Sequence, residues 1–542
     1  MIIAYDVGTT GIKTCIFDIS DTIKLVASEM EGYELFVLEN GGAEQDPDSW
    51  WNAMCVTTER VLRKNNISAD SIQGISFCSQ MQGLVLVDSE GNPVRRAMSY
   101  MDQRAGEELK NGMAYGLQIA GVNVFRLIKS LAITHAVAAS VKDPVWKYKW
   151  VEKHEPEVFR RVHKWLDVKE FLISKCTGKF IMTPDSAYAT LLYDTRKGRE
   201  GFSPEMCRML EVNMDHLPEI KGCSEMVGRI TKEAAARLHL KEGTPVFGGG
   251  GDASLIGVGA GAVEPGDTHI YSGTSGWVST VVKKQIVDTS SMIAAIVGAD
   301  SDCFNYFAEL ETAGKCLEWV KDHLALDEIG IYLEKKKISD SKETVYRSLY
   351  DYMISAIRDV PPGSNGVIFT PWLHGNRCPF EDSNARGMFF NISLETGKTE
   401  LIHSVLEGVC YHLRWMLEAQ EKKIRTSNPI RFVGGGALAP LTCQILSDIL
   451  GREIETVEEP QNAGSVGAAL VAAVGLGIIN RLSEAKRMVK VSRKYSPDIN
   501  NKRIYDGYFE VFKTLYKNNV SNFRSLNGNK AAVQRYSNQT KE

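Results

Sequence analysis

The sequence predicts an α/β protein that contains a duplicated domain, and two patterns support this prediction. Short apolar strands run into glycine clusters at residues 244–251 and again at 430–436, and helices of small residues can pack close behind them. A strand, a Gly-Thr-hydroxyl-Gly turn and a second strand occur at Gly8 and again 265 positions later, at Gly273. Like hairpins about half a chain apart indicate two related domains, and 542 residues are too many for one hydrophobic core.

Composition and charge exclude several classes of protein. The chain is 44% hydrophobic and 24% charged, as in ordinary globular proteins. Its formal charge is −4, so it lacks the excess of positive charge that binds nucleic acid or an anionic membrane. No run approaches the roughly 18 apolar residues that span a bilayer, and the first residues do not resemble a signal peptide. The eleven cysteines include no C-x-x-C pair, which favours reduced, buried thiols. We therefore expect a cytoplasmic protein that binds neither nucleic acid nor membrane.

The first hairpin is a candidate phosphate site. Gly8, Thr9 and Thr10 form its turn, which is rich in backbone N–H and hydroxyl donors, and Lys13 lies just beyond it. The alternative is a plain glycine hairpin without a ligand. The second hairpin repeats the pattern with its own donors, and two such loops facing each other could hold both ends of a triphosphate. The loop residues of this second hairpin are Gly273, Thr274 and Ser275.

Two polar clusters in the first half are candidate substrate sites. Asp46 is expected to be the N-cap of a helix, with Pro47 in its first turn. The strand after this helix ends in Gln80, Met81 and Gln82, followed by Gly83. Polar residues at such a strand end commonly bind small ligands in α/β proteins. The segment 99–104 supplies a further acid, amide and guanidinium, which suit a polyhydroxylated substrate. The alternative for both clusters is a surface loop, and residues 184–186 are expected to form another polar loop.

Asp252 is the candidate general base. It follows four consecutive glycines, which let the main chain turn or approach a ligand closely. An acid at the end of such a run projects from a strand end into a cleft. The alternative is a turn in which Asp252 only caps the following helix.

The second half continues the pattern of strand, glycine and helix. Gly314 is expected to start a helix, residues 377–387 form an irregular loop, and a long helix follows from about residue 398 to 420. The glycine crossing at Gly435, Gly436 and Ala437 can accept a flat group such as a purine against bare backbone. An aromatic stripe from Tyr505 to Tyr516 has helical spacing and is expected to be core, and the polar stretch 525–542 is expected to fray.

Two common nucleotide-binding motifs are missing from the sequence. It contains no G-x-x-x-x-G-K-[ST], and none of its glycine clusters has the G-x-G-x-x-G spacing. A kinase built from this chain therefore has to use a different phosphate cradle.

From residue 1 to about 477 the chain resembles the FGGY carbohydrate kinases, and within them the xylulokinase-like branch. Six separated motifs carry the resemblance. They are the loop from Asp6 to Lys13, the segment Ala43 to Pro47 with Trp50 and Trp51, the two signatures around Pro144 to His154 and Gly387 to Glu407, the glycine run before Asp252, and the adenosine-like loop Gly434 to Ala437.

The resemblance implies a fold of two ribonuclease-H-like domains of the actin and hexokinase type with a cleft between them. It implies an N-terminal domain at 1–256, which carries the sugar site, the first phosphate loop and the catalytic acid, and a nucleotide-binding domain at 257–500. Residues 501–542 would be a terminal helix and a polar tail.

The resemblance also implies ATP-dependent phosphorylation of a sugar, with Asp252 as base, Mg²⁺ held by Asp6, and a homodimer as an assembly that suits the family. It carries over substrate-binding roles to Gln80, Met81, Gln82, Asp102 and Arg104. ATP and phosphate roles carry over to Gly8, Thr9, Thr10, Lys13, Gly273, Thr274, Ser275, Gly314, Gly435, Gly436 and Ala437.

Three departures leave the sugar open. Gln82 stands where xylulokinases usually carry a histidine, Tyr100 stands for a tryptophan, and Ala253 follows Asp252 where the family often has an amide. Lys142 is a separate departure, from the small or aromatic residue that is usual in the first signature. Glutamine keeps hydrogen-bonding capacity but cannot take a positive charge. The acceptor most expected is a ketopentose such as D-xylulose, with ribulose, glycerol and gluconate as alternatives.

Two other classes of function compete with a sugar kinase. An actin- or chaperone-like ATPase would hydrolyse ATP without a sugar, and a sugar-sensing relative would have lost catalysis. The substrate-like clusters at residues 80–83 and 102–104 oppose the first, and the retained Asp252 with both phosphate loops opposes the second.

Overall fold

The structure is a computed structural model, which describes residues 1–119, 121–324 and 353–528. Two large sheets dominate it. The first contains β1 Ile2–Val7, β2 Gly11–Ile19, β3 Ile23–Gly32, β4 Gly74–Ser79, β5 Met226–Arg229, β6 Pro245–Phe247 and β7 Gly250–Gly251. The second contains β8 Thr268–Ser272, β9 Gly276–Val282, β10 Val287–Asp288, β11 Ile293–Val297, β12 Phe304–Leu310, β13 Ile430–Val433, β14 Ile454–Val457 and β15 Val491–Tyr495.

The two sheets share one topology. In the first, the strand order β3-β2-β1-β4-β6 joins an antiparallel meander to two strands that run parallel to β1. In the second, β12-β9-β8-β13-β14 repeats that order and those directions. Each sheet ends in an antiparallel edge strand, β5 or β15. The predicted domain duplication is therefore confirmed, with one sheet in each of two lobes.

Helices cover the sheets. They are α1 Pro47–Lys64, α2 Gly106–Met113, α3 Val124–Ile133, α4 Pro144–His154, α5 Pro156–Phe159, α6 Val168–Thr177, α7 Pro184–Ala189, α8 Pro204–Leu210, α9 Lys232–Leu238, α10 Asp252–Gly259, α11 Gly314–His323, α12 Lys398–Glu421, α13 Pro440–Leu450, α14 Ala463–Gly475, α15 Ala485–Met488 and α16 Ile499–Asn527. Short strands form small additional sheets at Phe36–Val37, Ala43–Gln45, Val85–Val87, Ala97–Met98, Gln118–Ile119, Val122–Asn123, Lys164–Leu166, Ile181–Met182, Tyr193–Asp194, Gly201–Phe202, Glu219–Ile220, Ile368–Phe369 and Phe389–Phe390.

Helix boundaries follow the sequence signals closely, with one exception. Asp46 caps α1 by accepting a hydrogen bond from the Asp48 N–H at 3.1 Å, as the Asp-Pro pair predicts. The polar loop predicted at residues 184–186 is wrong, because these residues form the first turn of α7. Pro184 occupies the first turn, where its missing N–H has no intrahelical partner to lose.

Helices α10 and α14 join the two lobes. They follow β7 in the first sheet and β14 in the second, and their surfaces belong to one hydrophobic core that draws on both lobes. A β-carbon on Gly259 would lie 1.8 Å from the Ala463 carbonyl oxygen, and one on Gly467 would lie 2.2 Å from that of Leu255. Glycine at both positions therefore permits a backbone-to-backbone crossing that no other residue would allow.

The terminal helix is part of the second lobe. Tyr505, Phe509, Phe512 and Leu515 of α16 are buried in that lobe's core, so the predicted aromatic stripe is confirmed as packing. Fraying predicted from residue 525 is wrong at its start, because residues 525–527 belong to α16, and residues 529–542 lie outside the described part of the chain. All eleven cysteines are buried and free, as predicted. Within the described ranges, no helix is long and apolar enough to cross a membrane.

Candidate active site

The first phosphate loop, residues 8–10, has free backbone N–H donors, whereas its carbonyl acceptors are already hydrogen-bonded. It turns between β1 and β2, and Tyr33 and Gln45 hold its carbonyl groups. The Gln45 amide donates to the Thr9 oxygen at 2.7 Å, the Tyr33 N–H donates to the Thr10 oxygen at 3.1 Å, and the Tyr33 hydroxyl donates to the Gly8 oxygen. The N–H groups of Thr9 and Thr10 donate to no atom of the described residues. A turn with its carbonyls tied back and its amides open is suited to an anion.

The second loop repeats this arrangement at the end of β8. The Thr274 oxygen accepts from the Ala313 N–H at 3.1 Å, and the Gly273 oxygen accepts from the Gly314 N–H at 2.7 Å. The N–H groups of Thr274 and Ser275 find no acceptor within the described ranges. A β-carbon on Gly314 would lie 2.4 Å from the Gly273 oxygen, which explains the glycine at the start of α11. Both predicted phosphate loops therefore present the same free donors.

The third glycine loop lies against the second. Gly434 has a φ of 94°, which favours glycine, and a β-carbon there would lie 2.5 Å from the Ser272 oxygen. A β-carbon on Gly436 would lie 2.8 Å from the Ser272 hydroxyl, whereas Gly435 has no atom within 4 Å of that position. The loop therefore leaves bare backbone beside Gly435, and Ala437 continues it as a short 3₁₀ turn.

Asp252 is the first residue of α10, directly after strand β7. Its Oδ1 accepts a hydrogen bond from the Ala253 N–H at 2.8 Å. Burial raises the pKa of this carboxyl to about 7; the Ala253 bond lowers it, and the negative charges of Asp6 and Glu309 raise it further. A carboxyl that titrates near neutral pH is suited to general base catalysis.

Asp6 lies on β1, next to the first loop. Burial raises its pKa, and the Lys13 charge and the Cys78 thiol oppose that shift. The Asp6 charge raises the pKa of Asp252, and carboxylates this close are suited to a divalent cation, because Mg²⁺ prefers oxygen ligands and keeps several waters. Lys13 itself turns toward the other lobe, where its ammonium donates to Asn462 Oδ1 at 3.0 Å.

A buried polar network behind Asp252 was missed by the sequence analysis. The Gly251 N–H donates to Asp185 Oδ2 at 2.7 Å, and the Thr183 hydroxyl donates to Asp185 Oδ1 at 2.5 Å. Lys169 lies in the same network and donates to the Thr183 hydroxyl at 2.7 Å. The pKa of Asp185 is lowered although burial opposes this, because the Lys169 charge and these hydrogen bonds favour its ionised form. The network fixes the backbone that presents Asp252.

Met81 and Gln80 connect the candidate sugar site to the base and to the first loop. A β-carbon on Gly251 would lie 2.1 Å from the Met81 sulfur, so Met81 packs against the residue that precedes Asp252. The Gln80 amide donates to Gln45 Oε1 at 2.9 Å, and Gln45 in turn holds the first loop. The oxygen of the Gln80 side chain is buried and has no partner within the described ranges.

Gln82 has a strained backbone and a free side chain. Its φ is 63°, which non-glycine residues rarely adopt. The Lys147 ammonium donates to its carbonyl at 2.8 Å, and Asp167 accepts from the next N–H, that of Gly83, at 2.9 Å. The side-chain amide of Gln82 has no partner among the described residues. Strain held in place by buried charges is typical of binding sites.

Asp102 and Arg104 form an internal ion pair. The Asp102 carboxylate is fully buried and accepts from the Ala43 N–H at 2.9 Å and from the Arg104 guanidinium at 2.7 Å. Arg104 also pairs with Glu44 at 2.7 Å and lies over the Trp150 ring. Both oxygens of Asp102 are already occupied, so a sugar could bind either residue directly only by displacing one of these bonds.

The second lobe contributes charges that the sequence analysis did not single out. Glu309 and Glu311 at the end of β12 pair with Arg377 at 2.7 Å and 3.1 Å, and Lys142 of the first lobe pairs with Glu311 at 3.4 Å. Tyr100 is close enough to this cluster to be affected by its charges. Burial is the largest cause of its raised pKa, and the charges of Asp252, Glu309 and Glu311 raise it further. No local sequence signal could have indicated this cluster, because its members are far apart in the chain.

The cleft therefore has two loops with free backbone N–H donors and the Asp252 carboxyl, whose pKa is about 7. These are the parts of a two-lobed kinase, in which positioning and charge stabilisation carry phosphoryl transfer.

Comparison with known proteins gives the family. Residues 1–259 match the N-terminal domain model of the FGGY family of carbohydrate kinases, and residues 269–476 match its C-terminal domain model. The chain belongs to the FGGY family of carbohydrate kinases, which use ATP.

Individual relatives agree over nearly the whole chain. The xylulose kinase of Bacillus subtilis is 25% identical over 519 residues, which cover 95% of this chain and 96% of that protein. The gluconokinase of the same organism is 25% identical over 516 residues, 94% of each. The crystal structure of ligand-bound xylulose kinase from Lactobacillus acidophilus superposes with a TM-score of 0.82 at 24% identity, over 97% of this chain and 99% of that one. The last comparison supports the two-domain fold.

Proposed function

We propose that this kinase transfers the γ-phosphoryl group of ATP to a hydroxyl of a ketopentose such as D-xylulose, with Asp252 as general base. The observation that carries the proposal is the position of Asp252. It stands at a strand end, directly after Gly251, against which Met81 packs; burial, and then the charges of Asp6 and Glu309, raise its pKa to about 7. As the sugar hydroxyl attacks, Asp252 accepts its proton.

The three loops would hold the nucleotide. The free N–H groups of Thr9 and Thr10 in the first loop, and of Thr274 and Ser275 in the second, would donate to phosphate oxygens. The N–H groups of Gly8 and Gly273 donate within their own turns at 2.9 Å, so these glycines would shape the two loops. Gly314 supports the second loop by donating to the Gly273 carbonyl. The bare backbone at Gly435 and Gly436, with Ala437, would take the purine. Lys13, which donates to Asn462 in the structure, lies close enough to the first loop to serve it as well.

Mg²⁺ would be held by Asp6, directly or through water. Its two charges would neutralise phosphate oxygens during transfer. Asp252 contributes a second negative charge nearby, which favours the cation.

The sugar would lie between Met81 and the polar groups around it. The free amide of Gln82 and the orphaned oxygen of Gln80 offer hydrogen bonds to hydroxyl groups, whereas Asp102 and Arg104 would shape the pocket through their ion pair. We propose an uncharged acceptor, because the free polar groups here, on Gln80 and Gln82, are uncharged, and the Arg104 guanidinium is already paired with Asp102 and Glu44. A sugar acid such as gluconate would find no free cation among these residues. Gluconate, ribulose and glycerol stay alternatives.

We also propose that the protein works in the cytoplasm and that it assembles as a homodimer. Eleven buried, free thiols support a reducing compartment, and the family resemblance supports the dimer.

The test is ADP release from purified protein with Mg²⁺ and ATP, against D-xylulose, L-xylulose, ribulose, glycerol, gluconate and a blank without sugar. The proposal expects one ketopentose to raise the rate far above the blank and gluconate to fail. Preference for gluconate would overturn the uncharged acceptor. A blank as fast as every sugar would instead favour an actin- or chaperone-like ATPase.

A further inference from the structure

Tyr271 occupies an unusual position just before the second loop. It is the fourth residue of β8, and its ring stacks on Trp277 of the neighbouring strand, with ring centroids 4.0 Å apart and planes at 25°. A β-carbon on Gly273 would lie 2.0 Å from the Tyr271 hydroxyl oxygen. Glycine at position 273 therefore leaves the space that this hydroxyl fills, and the ring has little freedom to move away.

The Tyr271 hydroxyl is unused within the protein. It makes no hydrogen bond to any described residue, and the side chain is half-buried. A phenolic hydroxyl is a hydrogen-bond donor and usually finds a partner in a packed setting. The fold gives it none, so the hydroxyl is open to a ligand in the cleft.

The Tyr271 side chain lies against both the second and the third loop. A β-carbon on Gly434 of the third loop would lie 2.9 Å from a ring carbon of Tyr271. Burial first, and then the charges of Asp6 and Asp252, raise the pKa of Tyr271, so the phenol keeps its proton at neutral pH. The free N–H groups of Thr274 and Ser275 follow on the same loop. Tyr271 thus lies beside the second and third loops, within the electrostatic influence of Asp252.

We propose that Tyr271 is a catalytic residue whose hydroxyl donates a hydrogen bond to a non-bridging oxygen of the phosphoryl group as it passes from ATP to the sugar. This inference rests on the proposed function. In the step, the sugar oxygen bonds to the γ-phosphorus, the bond from that phosphorus to the bridging oxygen of ADP breaks, and the sugar proton goes to Asp252. Tyr271 keeps its own proton throughout.

The physical reason is where charge lies during transfer. The transition state is loose and spreads charge over the peripheral oxygens of the phosphoryl group. A fixed donor aimed at such an oxygen needs no reorganisation when the charge develops. The stack on Trp277 and the contact with Gly273 fix Tyr271 in this way.

The test is Tyr271→Phe, which removes the hydroxyl and keeps the stacked ring. Loss of one such donor lowers kcat by about 10²–10³ in other enzymes, so we expect about a hundredfold fall, with the KM values for ATP and sugar within a few-fold of the parent. Tyr306→Phe is the matched control. The Tyr306 hydroxyl is also without a partner among the described residues, but it is buried in the core of the same sheet, and we expect parental kcat.

A binding measurement keeps the test decisive if the variant loses some stability. ADP with Mg²⁺, aluminium fluoride and the sugar mimics the phosphoryl group in transfer. Tyr271→Phe should bind this mixture at least tenfold more weakly and bind ADP alone unchanged, at a temperature where circular dichroism shows it folded.

The outcomes separate this inference from the proposed function. A Tyr271→Phe enzyme with kcat within twofold of the parent, or with unchanged binding of the aluminium fluoride complex, overturns the role of Tyr271. If Asp252→Asn also retains parental turnover, the proposed function itself fails.

Discussion

At the scale of single residues, the proton affinity of Asp252 is set by its neighbours. Burial, Asp6 and Glu309 all raise its pKa, and only its contacts with backbone N–H groups lower it. Glu309 belongs to the second lobe, so a charge on the other side of the cleft contributes to the pKa of Asp252.

The raised pKa of Asp252 predicts that kcat/KM for the sugar depends on pH. A general base works when deprotonated, so kcat/KM for the sugar should fall about tenfold per pH unit below a pKa of about 7 and level off above it. Glu309→Gln removes a charge that favours the protonated form, and the inflection should therefore move to lower pH. The exposed Glu242→Gln is the control and should leave it in place. A pH–rate profile that is flat from pH 5 to 8, or that Glu309→Gln does not shift, contradicts this assignment.

At the same scale, the sequence analysis singled out the proposed base and the polar residues near it but not their partners. Four glycines before an acid predict a carboxylate at a strand end, and Asp252 lies there. The ion pair that occupies Asp102 depends on Arg104 and Glu44 folding back onto it. Spacing along the chain does not reveal whether an acid faces a ligand or a guanidinium.

At the scale of elements, the crossing of α10 and α14 determines how Asp252 and the second lobe are joined. The crossing is possible because glycine stands at 259 and 467, where a β-carbon would overlap a carbonyl of the opposite helix. Helix α10 begins with Asp252, so any shift at this crossing also displaces the base.

Gly259→Ala should therefore destabilise the protein. Overpacking of a tight contact typically costs about 1–3 kcal/mol, and we expect a melting temperature several degrees lower. Gly507→Ala is the matched control, because Gly507 is exposed within α16 with no atom within 4 Å of the added carbon. Alanine favours helix over glycine by about 0.8–1 kcal/mol, so this control should be slightly more stable. Equal melting temperatures for the two variants would contradict the close crossing.

Elements with a local signal were predictable, and the others were not. The two glycine hairpins, the Asp-Pro start of α1 and the helix from Lys398 all follow from patterns within a few residues. The polar residues after Pro184 predict a loop, whereas the proline after Thr183 is a helix-start signal, and the helix forms. Its polar side chains are in fact buried in the network that supports Asp252.

At the scale of the whole molecule, an ion pair links the lobes across the cleft. Lys142 belongs to the first lobe and Glu311 to the second, and their charged atoms are 3.4 Å apart in a largely buried setting. The residues are 169 positions apart, so nothing local in the sequence could predict the pair. What the sequence did predict at this scale is the duplication, because the repeated hairpins are visible as a pattern.

We expect this pair to help hold the lobes around the sugar. Lys142→Met should raise the KM for the sugar by up to about fivefold, since pairs of this kind contribute at most about 1 kcal/mol. In a Glu311→Gln background the same substitution should have little further effect. The exposed Lys24→Met serves as control and should leave KM unchanged. Strictly additive effects of the two substitutions would show that Lys142 and Glu311 do not act as a pair.

The most direct test of the central claim is sugar-dependent ADP release by the parent enzyme and by Asp252→Asn, together with calorimetric binding of ADP. If Asp252 is the base, turnover should fall by about 10²–10⁴ while the Kd for ADP stays within a few-fold. The exposed Asp18→Asn should match the parent in both. Turnover of Asp252→Asn within a few-fold of the parent would contradict the claim and place the base elsewhere in the cleft.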